Sequence, residues 1–83
     1  MSYPPFPNPF IDVVNIPYYL PQETEVTLDL YDFSGRLVRT MVQNGNAGMN
    51  KFVIDNLSFG SEWKYEMKTT HWKTSGTLIS VNR

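Results

Sequence analysis

The stretch TEVTLDLYDFSGRLVRTMV, residues Thr24–Val42, decides the fold of this chain. Its first half alternates apolar and polar residues with the period of two that a half-buried strand requires. Gly35 then interrupts the alternation, and glycine tolerates the positive φ of a tight turn. We predict a β-hairpin whose three-residue loop, residues 33–35, brings Asp32 opposite Arg36.

The same loop predicts the register of the hairpin. It places Leu30 opposite Val38, and further along it places Val42 on the same face of the returning strand. On the outer face it sets Asp29 opposite Arg39, a favourable pair worth about 0.2–1 kcal/mol. A shift by one residue would put Arg39 opposite Leu30 and turn the apolar side chains of the returning strand to the other face. We therefore expect the unshifted register.

Four further strands flank the hairpin. Turn residues such as Asn44-Gly45 separate them. Pro17 predicts that its own strand lies at an edge or is interrupted at this residue, because proline cannot donate to a central ladder. Strands recur about every ten residues, which is typical of a sandwich or barrel, and no segment has helical period. We predict an all-β fold, an Ig-like antiparallel β-sandwich of six to seven strands, with Ile79 and Val81 pointing inward. The flanking strands are Val13–Leu20, Met49–Asp55, Trp63–Thr70 and Thr74–Val81.

Length and composition indicate one small domain. The 83 residues are 41% hydrophobic and 14% aromatic, which supplies a core and argues against disorder. A net charge of −1 gives no basic field for nucleic acid, and no apolar run reaches the about 18 residues of a membrane span. Without cysteine the chain has no disulfide framework and no thiol nucleophile. We expect residues 1–10 to form a proline-rich N-terminal linker and residues 11–83 to form the sandwich.

Reactive side chains do not converge in this pattern. His71, the only histidine, falls in a predicted turn, and no cysteine or second histidine joins it in a soft-metal site. The acidic residues are spread over different strands, and Asp32 is explained as a turn-initiating carboxylate. The serines lack a base partner, and the glycines occur singly at turns rather than in a phosphate-binding loop. We therefore expect no catalytic residue, no metal site and no cofactor.

Exposed aromatic side chains leave carbohydrate binding open as an alternative. Tyr19, Tyr31 and Trp72 fall on outward faces or in a turn, where rings could stack on sugars. Rings that cover the sheet or a subunit contact explain the same pattern, and we favour that interpretation.

Two motifs resemble a known family. PNPF at residues 7–10 resembles the opening of the C-terminal sorting domains of the type IX secretion system. The V-x-L-x-L-Y-D run that continues into S-G-R-x-V, with Gly35 at its turn, resembles the centre of the same domains. Gly60, in an L-x-x-G stretch that begins at Leu57, resembles their approach to the penultimate strand. The similarity extends from Pro7 to Arg83.

The resemblance implies a secretion signal rather than an enzyme. Such a domain directs an upstream passenger through the periplasm to the cell surface or the medium, and its expected partners are an outer-membrane translocon and a sortase or peptidase. The C-terminal strand, Thr77–Arg83, is the expected docking element, because a terminal strand at a sheet edge can present unpaired N–H and C=O groups. The candidate recognition residues are Pro7, Asn8, Pro9, Phe10, Asp32, Gly35, Gly60, Leu78, Ile79, Val81 and Arg83.

The central hairpin is similar also to the Ig-like domain of flagellar hook-capping proteins. That family tends to carry W-D-G-x-D after the hairpin, whereas residues 53–57 read VIDNL. An Ig-like structural or interaction module is therefore the alternative function.

Overall fold

The computed structural model describes residues 1–57 and 61–81. These residues form six β-strands and no helix. Among them no helical segment has the length and apolar character needed to cross a membrane. The strands are β1 (Val13–Leu20), β2 (Thr24–Tyr31), β3 (Leu37–Gly45), β4 (Gly48–Asp55), β5 (Glu62–Lys68) and β6 (Lys73–Ile79).

The strands form two antiparallel sheets that enclose one core. One sheet pairs β1 with β4, and the other has the strand order β3-β2-β5-β6. Alternate side chains from both sheets point inward, which confirms the predicted all-β antiparallel sandwich. The core consists of Phe10, Val14, Ile16, Tyr18, Leu20, Val26, Leu28, Leu30, Phe52, Ile54, Trp63, Tyr65, Met67 and Leu78.

β1 has its proline at an edge, as predicted. The carbonyl of Pro17 accepts a hydrogen bond from the Tyr3 amide at 3.0 Å, on the side of β1 that faces away from β4. The N–H that proline lacks would point to this same side, so the ladder with β4 loses nothing. The first residues of the chain run alongside β1 through isolated bridges such as Phe6 with Asn15. They form no continuous seventh strand.

The predicted loop of the central hairpin is confirmed. The Asp32 amide donates to the Arg36 carbonyl at 2.9 Å, and Gly35 has a φ of 90°, in the left-handed region. Asp32 Oδ1 accepts from the Ser34 hydroxyl at 2.6 Å and from the amides of Ser34 and Arg36 at 3.0 Å each. These donors, the Ser34 hydroxyl first among them, hold the pKa of the Asp32 carboxyl below its ordinary value. Asp32 therefore has the turn-initiating role expected from the sequence.

The predicted register beyond the loop is wrong. A bulge between Leu30 and Tyr31 shifts the pairing by one residue, so Leu30 lies opposite Arg39. Val38 and Val42 consequently face solvent, with exposures of 43% and 57%. The returning strand therefore turns its valines outward and Arg39, Met41 and Gln43 inward.

The outer-face pair predicted for Asp29 and Arg39 does not form. Asp29 Oδ1 instead accepts from the Thr40 hydroxyl at 2.8 Å, and its other carboxylate oxygen lies 3.6 Å from Lys68 Nζ. Arg39 extends toward the other sheet, where its Nη1 donates to the carbonyl of Asp55 at 3.0 Å.

The boundary between β3 and β4 explains this register. The two strands belong to different sheets and share no backbone ladder. Side chains of β3 bridge them: Gln43 Nε2 donates to the Lys51 carbonyl at 3.1 Å, as Arg39 does to that of Asp55. Valine at either β3 position would leave a carbonyl of β4 without that donor. We call Arg39, Gln43, Lys51 and Asp55 the β3–β4 seam.

The inward face of the last strand is also shifted by one residue from the prediction. Ile79 is 41% exposed and Val81 is half-buried, whereas Leu78 and Ser80 are fully buried. Leu78 lies opposite Trp63, so its side chain shares the core face of β5. Ser80 continues that face, and its hydroxyl accepts a hydrogen bond from Trp63 Nε1 at 3.4 Å. A buried serine with a partner breaks the apolar alternation on which the prediction depended.

Candidate recognition site

Two of the candidate recognition segments meet at one edge of the molecule. β6 is an outer strand of the four-stranded sheet, and residues 8–10 lie alongside its C-terminal end. The Phe10 amide donates to the Ile79 carbonyl at 2.8 Å, and the Val81 amide donates to the Phe10 carbonyl at 2.9 Å. Phe10 thereby forms a parallel bridge with Ser80. We call residues 8–10 the edge strap.

Asn8 continues the pairing with its side chain. Its Nδ2 donates to the Thr77 carbonyl at 2.9 Å, and its Oδ1 accepts from the Ile79 amide at 2.9 Å. A carboxamide can do this because it carries both a donor and an acceptor, as a peptide group does. Asn8 and Phe10 together satisfy the outward-facing backbone groups from the Thr77 carbonyl to the Val81 amide.

The prolines on either side of Asn8 suit this position. Pro7 and Pro9 are exposed, and the Phe6–Pro7 and Asn8–Pro9 peptide bonds are cis. Neither proline carries a backbone N–H that would need a partner beside β6. The strap therefore pairs through the Asn8 side chain and the Phe10 backbone alone.

Phe10 anchors the edge strap in the core. Its side chain is 1% exposed and packs in the same cluster as residues of both sheets. Full burial of a phenylalanine side chain stabilises a fold by about 1.5–3 kcal/mol. In the PNPF motif the asparagine pairs, the phenylalanine is buried and the prolines add no free donor, so each residue type has a structural explanation.

The edge strap corrects one expectation about the C-terminal strand. β6 does lie at a sheet edge, but its backbone groups between Thr77 and Val81 are paired. The open part of the edge is the other end of the strand. Because outward-facing groups alternate along a strand, those of Lys73 and Ser75 lie on the free side, and no described residue pairs with them there.

The remaining candidate residues do not all join this edge. Leu78 lies in the core, and Ile79 presents its side chain on the outer face of the sheet. Asp32 and Gly35 lie at the same end of the four-stranded sheet, but on the hairpin between β2 and β3, and none of the described hydrogen bonds connects them to the strap. Gly60 and Arg83 lie outside the described residues.

Sequence reasoning missed the edge strap and the β3–β4 seam. Residues 1–10 were interpreted as a linker by their prolines, and a linker role in a longer protein stays a prediction. The available signal for the strap was an asparagine isolated between two prolines, the one side chain there able to both donate and accept. The signal for the seam was the alternation of Arg39, Met41 and Gln43, in which long polar side chains flank an apolar residue.

The aromatic side chains considered for carbohydrate stacking are not brought together. Tyr19 lies on the outer face of the β1–β4 sheet, and Tyr31 lies on the outer face of the four-stranded sheet, on the opposite side of the sandwich. Trp72 is half-buried against the core. The three rings therefore form no common platform.

Titratable residues are equally scattered. His71 is exposed in a turn that the Thr69 amide closes by donating to the Trp72 carbonyl at 2.8 Å. In residues 1–57 and 61–81 no three His, Asp or Glu side chains are grouped so that they could hold a metal ion. Burial raises the pKa of Tyr18 and that of Tyr65, and the Gln43 side chain partly offsets the shift at Tyr18 by donating to its hydroxyl. Both tyrosines are core residues rather than parts of a reactive site.

Comparison with known proteins identifies the family of this chain. The family model described as secretion system C-terminal sorting domain matches residues 5–78, nearly the whole chain. The match includes the edge strap, the hairpin loop and most of β6. No curated protein and no solved structure matches the chain significantly. The chain belongs to the C-terminal sorting domains of the type IX secretion system.

Proposed function

We propose that the outer-membrane translocon of the type IX system reads this domain in its folded state, at the outer edge of β6. As a member of its family the domain is a sorting signal, which implies an upstream passenger that is exported and then secreted or displayed at the surface. Beyond this role of the family, we propose two specific steps, which are passage through the periplasm and recognition by the translocon.

The hydrogen bond from the Ile79 amide to Asn8 Oδ1 is the observation that carries the proposal. It joins residues 71 positions apart in the sequence, so the candidate residues from both ends of the domain are adjacent only after folding. A partner that contacts this edge therefore contacts a feature that an unfolded chain lacks. The exposed side chain of Ile79 marks the face of β6 that is accessible beside the strap.

A sortase or peptidase partner belongs to the same proposal, and we place its cut before Pro7. Phe10 is the first fully buried residue of the chain, and the exposed side chains of Met1, Tyr3 and Phe6 precede it. Separation upstream of Pro7 would leave the edge strap and its core anchor with the domain. The passenger would then leave once the hydrogen bonds of residues 1–6 to β1 open, and the sandwich would keep its core.

A reporter fusion tests the proposal. Residues 3–83 are fused behind a fluorescent protein with a signal peptide and expressed in a host with a type IX system. We expect fluorescence in the medium or at the cell surface, and we expect a fusion that lacks residues 78–83 to remain periplasmic. Because that deletion can also unfold the domain, Arg83→Glu serves as a folded control for the terminus.

A matched pair of substitutions locates the recognised edge. Ile79→Asp places a charge on the outer face of β6, and Val42→Asp places the same charge on β3, at the opposite edge of the same sheet. We expect Ile79→Asp to hold the reporter in the periplasm and Val42→Asp to leave export unchanged. Equal export of the two variants would contradict recognition at β6. A parent fusion that stays periplasmic, while a known sorting domain exports the same reporter, would contradict the proposal as a whole.

A further inference from the structure

We propose that the outer edge of β6 is a strand-addition surface for an extended segment of a partner protein, and that the Asn8 end of the edge strap occupies part of this surface until the partner displaces it. The inference deepens the proposed function and rests on it, because it states how the edge of β6 is bound. Its occupant is a β-strand of another polypeptide, paired through backbone hydrogen bonds.

The edge of β6 has a free half and a covered half. Along Lys73–Ser75 the outward-facing backbone groups have no partner in the described part of the chain, whereas those between Thr77 and Val81 are bonded to the strap. An extended segment can add to the free half at once, because each unpaired N–H and C=O group is a template for the next strand. To continue along β6 it must take the place of the strap.

The strap uses the same type of hydrogen bond that an added strand would use. The Asn8 carboxamide supplies one donor and one acceptor, and the Phe10 backbone supplies another pair. A peptide strand offers this pattern of groups at every second residue. Displacement therefore exchanges hydrogen bonds of one kind for others of the same kind, and leaves no β6 group unpaired.

The strap can open in part while the domain stays folded. Pro7, Asn8 and Pro9 are exposed, and their hydrogen bonds to β6 are the two made by the Asn8 side chain. Phe10 is held by its buried ring, which keeps the end of the strap in the core. Exposed hydrogen bonds open more readily than those of central strands. Asn8 is thus the releasable end of the strap, and Phe10 is the fixed end.

The β3–β4 seam offers no comparable surface. There the donors are Arg39 and Gln43, whose side chains come from inward-facing positions of a strand that is itself part of the fold. A partner strand cannot displace them without disturbing β3. Strand addition is therefore directed to β6.

Hydrogen exchange of the purified chain tests the opening of the strap. In Asn8→Ala, and in the near-isosteric Asn8→Leu, we expect the Ile79 amide to exchange about five- to tenfold faster than in the parent, since it loses its acceptor. The Leu28 amide in the central strand β2 should keep its parent rate, which shows that the core is intact. Asn50→Ala is the matched control, since Asn50 donates its carboxamide only within the β3–β4 turn. An unchanged Ile79 rate, or an equal acceleration at Leu28, would overturn the inference.

Export of the reporter fusion tests the displacement. If the partner must displace the strap, Asn8→Ala and Asn8→Leu should raise the initial export rate about two- to fivefold above that of the parent and of Asn50→Ala. Faster exchange at Ile79 with an unchanged or lower export rate would overturn the inference. An unchanged rate would mean that the partner does not depend on the strap, and a lower rate would mean that the partner binds the strap itself. If no fusion is exported, the parent included, the proposed function fails and the inference falls with it.

Discussion

The sandwich closes its two sides in different ways. At the edge of β6 the Asn8 side chain and the Phe10 backbone cover the C-terminal half of the strand. At the β3–β4 seam the strands of the two sheets are bridged by the side chains of Arg39 and Gln43. The first closure uses groups that any extended segment can replace, whereas the second depends on particular side chains.

The two closures differ in how much they contribute to the stability of the domain. In the edge strap only Phe10 contributes substantial burial, and Asn8 adds exposed hydrogen bonds. In the seam the bridging side chains point inward because the bulge near Leu30 shifts the register of β3 by one residue. Under the proposed function, the seam contributes to the stability of the domain and the edge of β6 is the surface that is recognised.

The largest expected effect comes from removing the anchor of the strap. Phe10→Ala leaves a cavity beside residues of both sheets, and such changes cost about 3–5 kcal/mol. We expect the urea midpoint of unfolding to fall sharply, since a domain of this size has only a few kcal/mol to lose. Phe6→Ala is the control, because Phe6 is 53% exposed, and it should change stability by less than about 0.5 kcal/mol. Equal losses would show that Phe10 is not the anchor.

The hairpin loop should have the next largest effect, since it starts the register that builds the seam. Gly35 has a φ of 90°, so Gly35→Val forces a β-branched residue into a strained backbone conformation and should cost about 1–3 kcal/mol. Gly35→Asn should cost less, because asparagine tolerates this region better. Thermal unfolding followed by circular dichroism measures both. An unchanged midpoint for Gly35→Val would contradict the loop conformation.

The seam itself can be tested at Arg39. Arg39→Met keeps the aliphatic stem and removes the donor to the Asp55 carbonyl, so we expect a loss of about 0.5–1.5 kcal/mol in the free energy of unfolding. Lys51→Met also removes one positive charge but keeps the backbone carbonyl that Gln43 binds, and should be nearly neutral. Denaturant titration compares the two. If both variants lose the same stability, charge rather than the seam hydrogen bond is responsible.

The smallest expected effect concerns pH. The pKa of Asp32 is lowered in the folded state, mainly by the Ser34 hydroxyl and the Arg36 amide, so its ionised form stabilises the fold. That contribution is complete above the ordinary pKa of about 4 and is lost as the pH falls through the lower folded value. Asp32→Asn should therefore flatten the fall of the melting temperature below about pH 4. A variant with the same acid dependence as the parent would contradict this role of Asp32.

Within the four-stranded sheet, the accuracy of the sequence predictions follows the position of each strand, whereas in the two-stranded sheet the faces that alternation predicted for β1 and β4 are the buried ones. β2 and β5 are central, and their inward residues, such as Leu28 and Met67, were predicted correctly from alternation. β3 and β6 are edge strands, and in both the predicted inward face was wrong. Alternation assigns the apolar face of a strand to the core. In β3 and β6 the inward face depends also on hydrogen bonds with segments outside their sheet, which alternation does not describe. Val38 is exposed because its neighbour Arg39 turns inward and donates to the Asp55 carbonyl, and Ile79 is exposed because Leu78 and Ser80 occupy the core face of the last strand.

The recognition role of the candidate residues stays a prediction. The sequence analysis named Asn8 and Phe10 from the family resemblance and Ile79 from the terminal strand, but nothing in the sequence indicated that Asn8 and Phe10 contact the last strand. The meeting of residues 71 positions apart depends on the closure of both sheets around one core. Such a contact produces no pattern in the sequence, because sequence patterns depend on neighbouring residues and these two residues lie in distant segments.

The sequence by itself determined the strands, the central hairpin and the loop at Gly35. Those features follow from burial with a period of two and from a positive φ, which are properties of neighbouring residues. Only the tertiary structure decided which faces of β3 and β6 point inward and where the PNPF segment lies. The reason is that backbone groups at sheet edges need hydrogen-bond partners, and here those partners come from distant parts of the chain, Arg39 for the Asp55 carbonyl and Asn8 for the Ile79 amide.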